Sequence, residues 1–88
     1  AKELENSLRQ EGLDFYRWSD NPGVSYPWHT HPDLEVRWII SGSIKMGLRN
    51  DKEVILNPGD RLDLPANTEH WAVVVSRVPV VYLCASKK

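Results

Sequence analysis

Trp28-His29-Thr30-His31-Pro32-Asp33-Leu34-Glu35 holds two of the chain's three histidines and, four positions on, a carboxylate. In an extended strand, residues two apart point to the same face. His29, His31 and Glu35 share parity, so all three can project from one side. Two imidazoles and a carboxylate converging from one strand form a metal-ligand arrangement. Only one other imidazole, that of His70, remains to join them.

The surrounding chain reads as short strands parted by turn residues. Gly12 closes a short helix over residues 2–11, in which Leu4 and Leu8 stand one turn apart. Residues 13–18 read as an aromatic strand, and Ser19-Asp20-Asn21-Pro22-Gly23 as a turn. Residues 24–31 form a second strand, in which Pro27 and then Pro32 remove hydrogen-bond donors, so an edge or bulged position is expected. Residues 35–40, 44–49, 53–56, 61–64, 70–75 and 80–85 follow as strands. Asn50-Asp51-Lys52 and Asn57-Pro58-Gly59-Asp60 mark two of the turns between them. Residues 86–88 read as a solvated tail. Seven or eight short strands at this spacing predict an all-β sandwich or barrel with one N-terminal helix.

The chain's size and charge exclude several classes. Eighty-eight residues predict a single domain over 1–88, with the helix in 1–12 and the barrel in 13–85. Hydrophobic residues make up 41% and charged residues 26%, an ordinary globular balance that argues against disorder. The net charge of −1 contains no basic run or stripe, so no nucleic-acid partner is expected. Apolar runs such as Val73-Val74-Val75 are far too short to span a bilayer, so no membrane partner is expected either. One cysteine, Cys84, excludes an intrachain disulfide, and no secretory signal is visible, so a cytoplasmic location is expected. Cys84 itself reads as a buried apolar residue with no activating base.

Written as spacings, Gly23 is followed by five residues, His29, one residue, His31, three residues, Glu35, six residues and Gly42. Gly59 is followed by five residues, Pro65, one residue, Asn67, two residues and His70. This resembles the two sequence motifs of the cupin superfamily across about Gly23 to Val75. Two positions depart from them: Asn67 stands where the family usually has Gly, and Val74 where it often has Asn. Asn tolerates a positive φ, so the turn before His70 is expected to survive. The resemblance implies a small jelly-roll β-barrel. It also implies one divalent transition metal (Fe, Mn, Zn, Ni or Cu) held by His29, His31, Glu35 and His70. Four protein ligands on an octahedral ion leave two positions for water, substrate or O₂.

Arg37 shares the inward parity of Glu35 and is the candidate for holding an anionic ligand, since an inward guanidinium needs a partner. The competing reading has Arg37 turned outward by a bulge, and the alternative role of Glu35 is a salt bridge with Arg37. Trp18, Trp28, Trp38 and Trp71 read as core or interface rather than as ligand-stacking rings, the last three facing away from the metal. Outward tryptophans call for a covering helix or a second subunit, and a homodimer is expected. The leading functional expectation is a metal-dependent enzyme of dioxygenase type acting on a small organic molecule. The alternative is a non-catalytic module that binds or senses a small molecule or metal. A chain this short is expected to leave little room for an elaborate cavity.

Overall fold

The computed structural model describes residues 2–87. A helix, α1 (Lys2–Gln10), precedes eight strands: β1 (Leu13–Asp20), β2 (Ser25–His29), β3 (Glu35–Ser41), β4 (Ile44–Leu48), β5 (Lys52–Leu56), β6 (Arg61–Leu64), β7 (His70–Val74) and β8 (Val80–Lys87). They form two antiparallel four-stranded sheets, β1-β8-β3-β6 and β2-β7-β4-β5, packed face to face. This is the all-β fold with an N-terminal helix that the turn spacing predicts, in the jelly-roll form that the cupin resemblance implies.

Strand alternation builds two cores from alternate residues of the same strands. From β8, Val80, Tyr82 and Cys84 point between the sheets and pack with Ile39, Ile44, Met46, Leu56, Leu64, Ala72 and Val74. Leu83 and Ala85 point the other way and, with Val36 and Leu13, receive Leu8 from α1. Trp38 and Phe15 lie at the margin of this second cluster, so α1 covers the outer face of the first sheet. The helix is too short to persist alone and is held by this docking. Its far end is clamped as well. Arg61 on β6 donates two bonds of 2.7 Å to the Glu11 carboxylate and lies 5.0 Å over the Trp38 ring.

Two strands run further than the sequence suggests. β1 continues through Ser19 and Asp20, because Asp20 pairs in register with Val80 and finds buried partners. β8 continues through Ser86 and Lys87, which pair with Asp14 and Leu13 instead of forming a solvated tail. Lys88, like Ala1, lies outside the described residues. β2 is an edge strand, and its register shifts between Tyr26 and His29, on either side of Pro27 and Trp28. Gly47 has a steric reason to be glycine: a Cβ there would sit 1.9 Å from the Trp71 ring lying over it.

Candidate metal centre

The two histidine-bearing segments meet at one end of the space between the sheets. His29 ends β2 and His70 begins β7, and they face each other directly across that pair. His31 arrives from the loop after β2, and its carbonyl accepts the Asn67 N–H at 2.8 Å. Asn67 has φ +62°, a left-handed conformation that Asn tolerates better than most residues. The turn before His70 thus survives without Gly, and its backbone ties the His31 loop to the His70 loop.

The ring centroids of His29 and His70 lie 4.2 Å apart, those of His29 and His31 4.9 Å, and those of His31 and His70 5.3 Å. One ring nitrogen from each histidine falls within 4.8 Å of the others. Nδ1 of each ring is already engaged. That of His29 donates to the Pro27 carbonyl at 2.6 Å, and that of His70 to the Thr68 carbonyl at 2.9 Å. A carbonyl can only accept, so these nitrogens carry the protons. His31 Nδ1 donates to Glu35 Oε2 at 2.9 Å. Each Nε2 is left as an unprotonated lone pair, the arrangement in which imidazoles bind metals. The Nε2 atoms of His31 and His70 are buried with no hydrogen-bond partner among the described residues. Burial holds the pKa of His70 below the usual histidine value. His31 is also held low, by burial first, with the Glu35 carboxylate opposing. Buried, neutral, unpartnered imidazoles of this kind fit a divalent metal ion.

Glu35, 9% exposed, lies beside this cluster and not at its centre. Oε2 holds His31, and Oε1 pairs with the Arg37 guanidinium, the salt bridge expected as the alternative role of Glu35. Arg37 faces the interior, as strand parity predicts. It also contacts Cys84 Sγ and lies 5.7 Å from the Tyr82 ring centre. Burial pushes the Cys84 thiol up, so it stays a thiol at neutral pH. Tyr16, opposite Cys84 across β1 and β8, is pushed up to about 12 by its hydrogen bond to Cys84 and by burial.

The histidines open onto a cavity of about 390 Å³, larger than the chain's length suggests and within the range of small-molecule sites. Arg37, Tyr16, Tyr26, Tyr82 and Met46 line it. Trp18 lines it too, correcting the assignment of all four tryptophans to core or interface. Trp18 shares a face with Tyr16 on β1, and that face looks into the cavity. Trp28 and Trp71 pair edge to face with centroids 6.4 Å apart, and neither is part of the cavity wall. Strand parity singled out Arg37. The contribution of Tyr16, Trp18, Tyr26 and Tyr82 went unread, although Trp18 and Tyr16 share parity on β1.

Comparison with known proteins agrees with this geometry. A family profile described as a cupin domain matches residues 16–86. An acireductone dioxygenase of Trichodesmium erythraeum is 45% identical over 47 residues, and one of Leptospira biflexa is 48% identical over 46. Each match covers 49% of this chain and 26% of the relative, so the matched stretch spans about a quarter of those proteins' length. Among solved structures, the DMSP lyase DddQ of Ruegeria pomeroyi aligns with a TM-score of 0.77 at 25% identity, over 88% of this chain and 39% of that one. A cupin-like protein of Thermotoga maritima aligns at 0.76 and 25% identity, over 86% of this chain and 57% of that one.

Proposed function

The chain belongs to the cupin family, and from that premise we propose that it is a metal-dependent oxidoreductase of dioxygenase type acting on a small, oxygen-rich anionic molecule. The observation that carries this reading is the convergence of three imidazoles, each with Nδ1 engaged and Nε2 free, at the wall of a cavity. His29, His31 and His70 are the proposed ligand core. Glu35 is the proposed fourth ligand, exchanging its contact with His31 for the ion. A bound divalent ion of the Fe, Mn, Zn, Ni or Cu group would supply Lewis acidity and open positions for oxygen donors. The partial identity to acireductone dioxygenases supports the oxygenase class.

The chain's own residues have definable tasks. The Pro27 and Thr68 carbonyls fix the tautomer and orientation of His29 and His70. Arg37 presents a desolvated guanidinium to the cavity, suited to a carboxylate or enolate oxygen. Tyr16 and Tyr82 have raised pKa values, the latter chiefly through burial, so both keep their protons at neutral pH. The apolar wall formed by Met46, Ala72 and Ile44 limits water.

The test is metal loading followed by oxygen uptake. The chain, purified without a histidine tag, is expected to take up one divalent transition metal. The loaded protein should then consume O₂ with an acireductone-type substrate. No uptake on titration overturns the metal assignment. Metal and tight ligand binding without turnover would instead identify a binding module.

A further inference from the structure

Tyr82 carries an anion on its hydroxyl and a cation against its ring. The hydroxyl donates to Asp20 Oδ2 at 3.2 Å, and the Arg37 guanidinium lies over the ring, 5.7 Å from its centre. That separation is within the reach of a cation–π contact, which strengthens as water is excluded. Tyr82 is 5% exposed and Asp20 9%, so both are shielded from solvent. The ring is held at two points, by the β8 backbone at one end and by Asp20 at the other. Glu35 and Cys84 both meet Arg37 at Nη1. Contacts at a single nitrogen do not fix the plane of a guanidinium, and the ring supplies the further point of contact.

Asp20 ends β1, and its charge needs a reason. Burying a carboxylate is costly unless its oxygens are hydrogen-bonded. Oδ1 accepts from the Trp18 indole N–H at 3.0 Å and from the Tyr26 hydroxyl at 2.8 Å, so with Tyr82 all three donors are neutral. Among the described residues no cation forms an ion pair with Asp20. A neutral acceptor would satisfy the same donors. What the charge adds is electrostatic. A hydrogen bond to a carboxylate pushes electron density onto the phenol ring, and the face turned to Arg37 becomes more negative. Burial first, and then the charge of Asp20, hold the Tyr82 phenol above its usual pKa, so its proton stays in this bond at neutral pH.

We infer that Asp20 is a positioning residue that acts through Tyr82 on Arg37: the Asp20–Tyr82 hydrogen bond holds and polarises the ring on which the guanidinium rests, and so fixes the face that Arg37 offers to an anionic ligand. The anionic ligand rests on the reading under Proposed function, and the placing of Arg37 by Asp20 and Tyr82 does not. Trp18 and Tyr26 bind the other oxygen of Asp20 and form a separate arm of the cluster.

The experiment follows the Arg37 guanidinium protons by side-chain proton–nitrogen NMR in the metal-free full chain, with the signals assigned through Arg37→Leu. The parent is expected to exchange these protons slowly with solvent. Tyr82→Phe and Asp20→Asn are each expected to speed exchange by about tenfold or more, and the double variant by no more than Tyr82→Phe alone, because Asp20 acts through that hydroxyl. Tyr26→Phe removes a donor from Oδ1 only and is expected to leave the exchange unchanged. Fast exchange in the parent, unchanged exchange in folded Tyr82→Phe or Asp20→Asn, additive effects in the double variant, or equal acceleration in Tyr26→Phe overturns the inference. Should Asp20→Asn fail to fold by circular dichroism, the contrast between Tyr82→Phe and Tyr26→Phe decides. Acetate titration tests the consequence for the ligand. Tyr82→Phe is expected to bind acetate about fivefold more weakly than the parent, the scale of a partly desolvated cation–π contact. Equal acetate affinities overturn the link from Tyr82 to the ligand. Altered exchange in a parent that binds no acetate upholds the placing of Arg37 and removes the anionic-ligand reading instead.

Discussion

Histidine chemistry gives the first prediction at the scale of single residues. His70 and His31 have pKa values lowered by burial. Between those folded values and the unfolded value of about 6.5, the unfolded chain binds more protons than the folded one. Stability therefore rises with pH across that window and levels off above it. Metal-free protein is expected to lose denaturant resistance as pH falls from about 7.5 to about 5, and a flat midpoint over that range would refute it. Metal affinity should fall over the same window, because protonated imidazole cannot ligate. Arg37 carries the second prediction. Replacing it with Leu leaves the buried Glu35 carboxylate without its cation, at an expected stability cost of about 2–4 kcal/mol. It should also weaken carboxylate binding by about 1.5–3 kcal/mol. Denaturation and acetate titration of Arg37→Leu read the two effects separately. Unchanged acetate affinity would show that Arg37 serves Glu35 alone.

Among the elements, the loop before His70 and the docked helix are the sensitive parts. Asn67 at φ +62° is replaceable by Gly without loss, whereas Asn67→Ala should cost about 1 kcal/mol, since a Cβ without a polar terminus is disfavoured there. Thermal unfolding of the two variants would decide, and equal midpoints would show that the backbone relaxes. Leu8 is fully buried beneath α1, so Leu8→Ala should cost about 2–4 kcal/mol. The Arg61–Glu11 clamp, being largely exposed, should contribute less than about 1 kcal/mol. The sequence made these elements legible because each carries its own punctuation: Gly12 after the helix, Pro27 in an edge strand, Asn67 in the turn. The three-histidine convergence was legible because motif spacing locates all three rings, although β2 ends at His29 and strand parity does not reach His31 in the loop beyond it. Asp20 was not legible. It lies in Ser-Asp-Asn-Pro-Gly, whose chemistry reads as a turn, and the partner Tyr82 is 62 positions away. The Glu35 contacts were only half legible, because parity puts Arg37 on the same face without showing which partner it takes.

On the scale of the whole molecule, the two sheets differ in what covers them. The outer face of β1-β8-β3-β6 is closed by α1 over Trp38, Leu83 and Val36. No helix among the described residues lies on the outer face of β2-β7-β4-β5, and none among them is long and apolar enough to cross a membrane. That outer face holds the Trp28–Trp71 pair, and Ile55 and Val73 lie level with Lys45 in the register. Trp28 and Ile55 are each 54% exposed. Exposed and half-buried aromatic and β-branched side chains on one uncovered sheet face support an association surface there. A second copy of the chain is the proposed partner, because an isologous contact needs only one such self-complementary patch. The patch also carries Lys45 paired with Glu53, a mixed charge set that tolerates its own two-fold image. Sedimentation at high micromolar concentration is expected to give a dimer, and Trp28→Asp should return it to monomer while leaving metal uptake intact. A clean monomer for the parent chain would refute the dimer. A dimer that survives Trp28→Asp would move the interface to the edge strands β1 or β6.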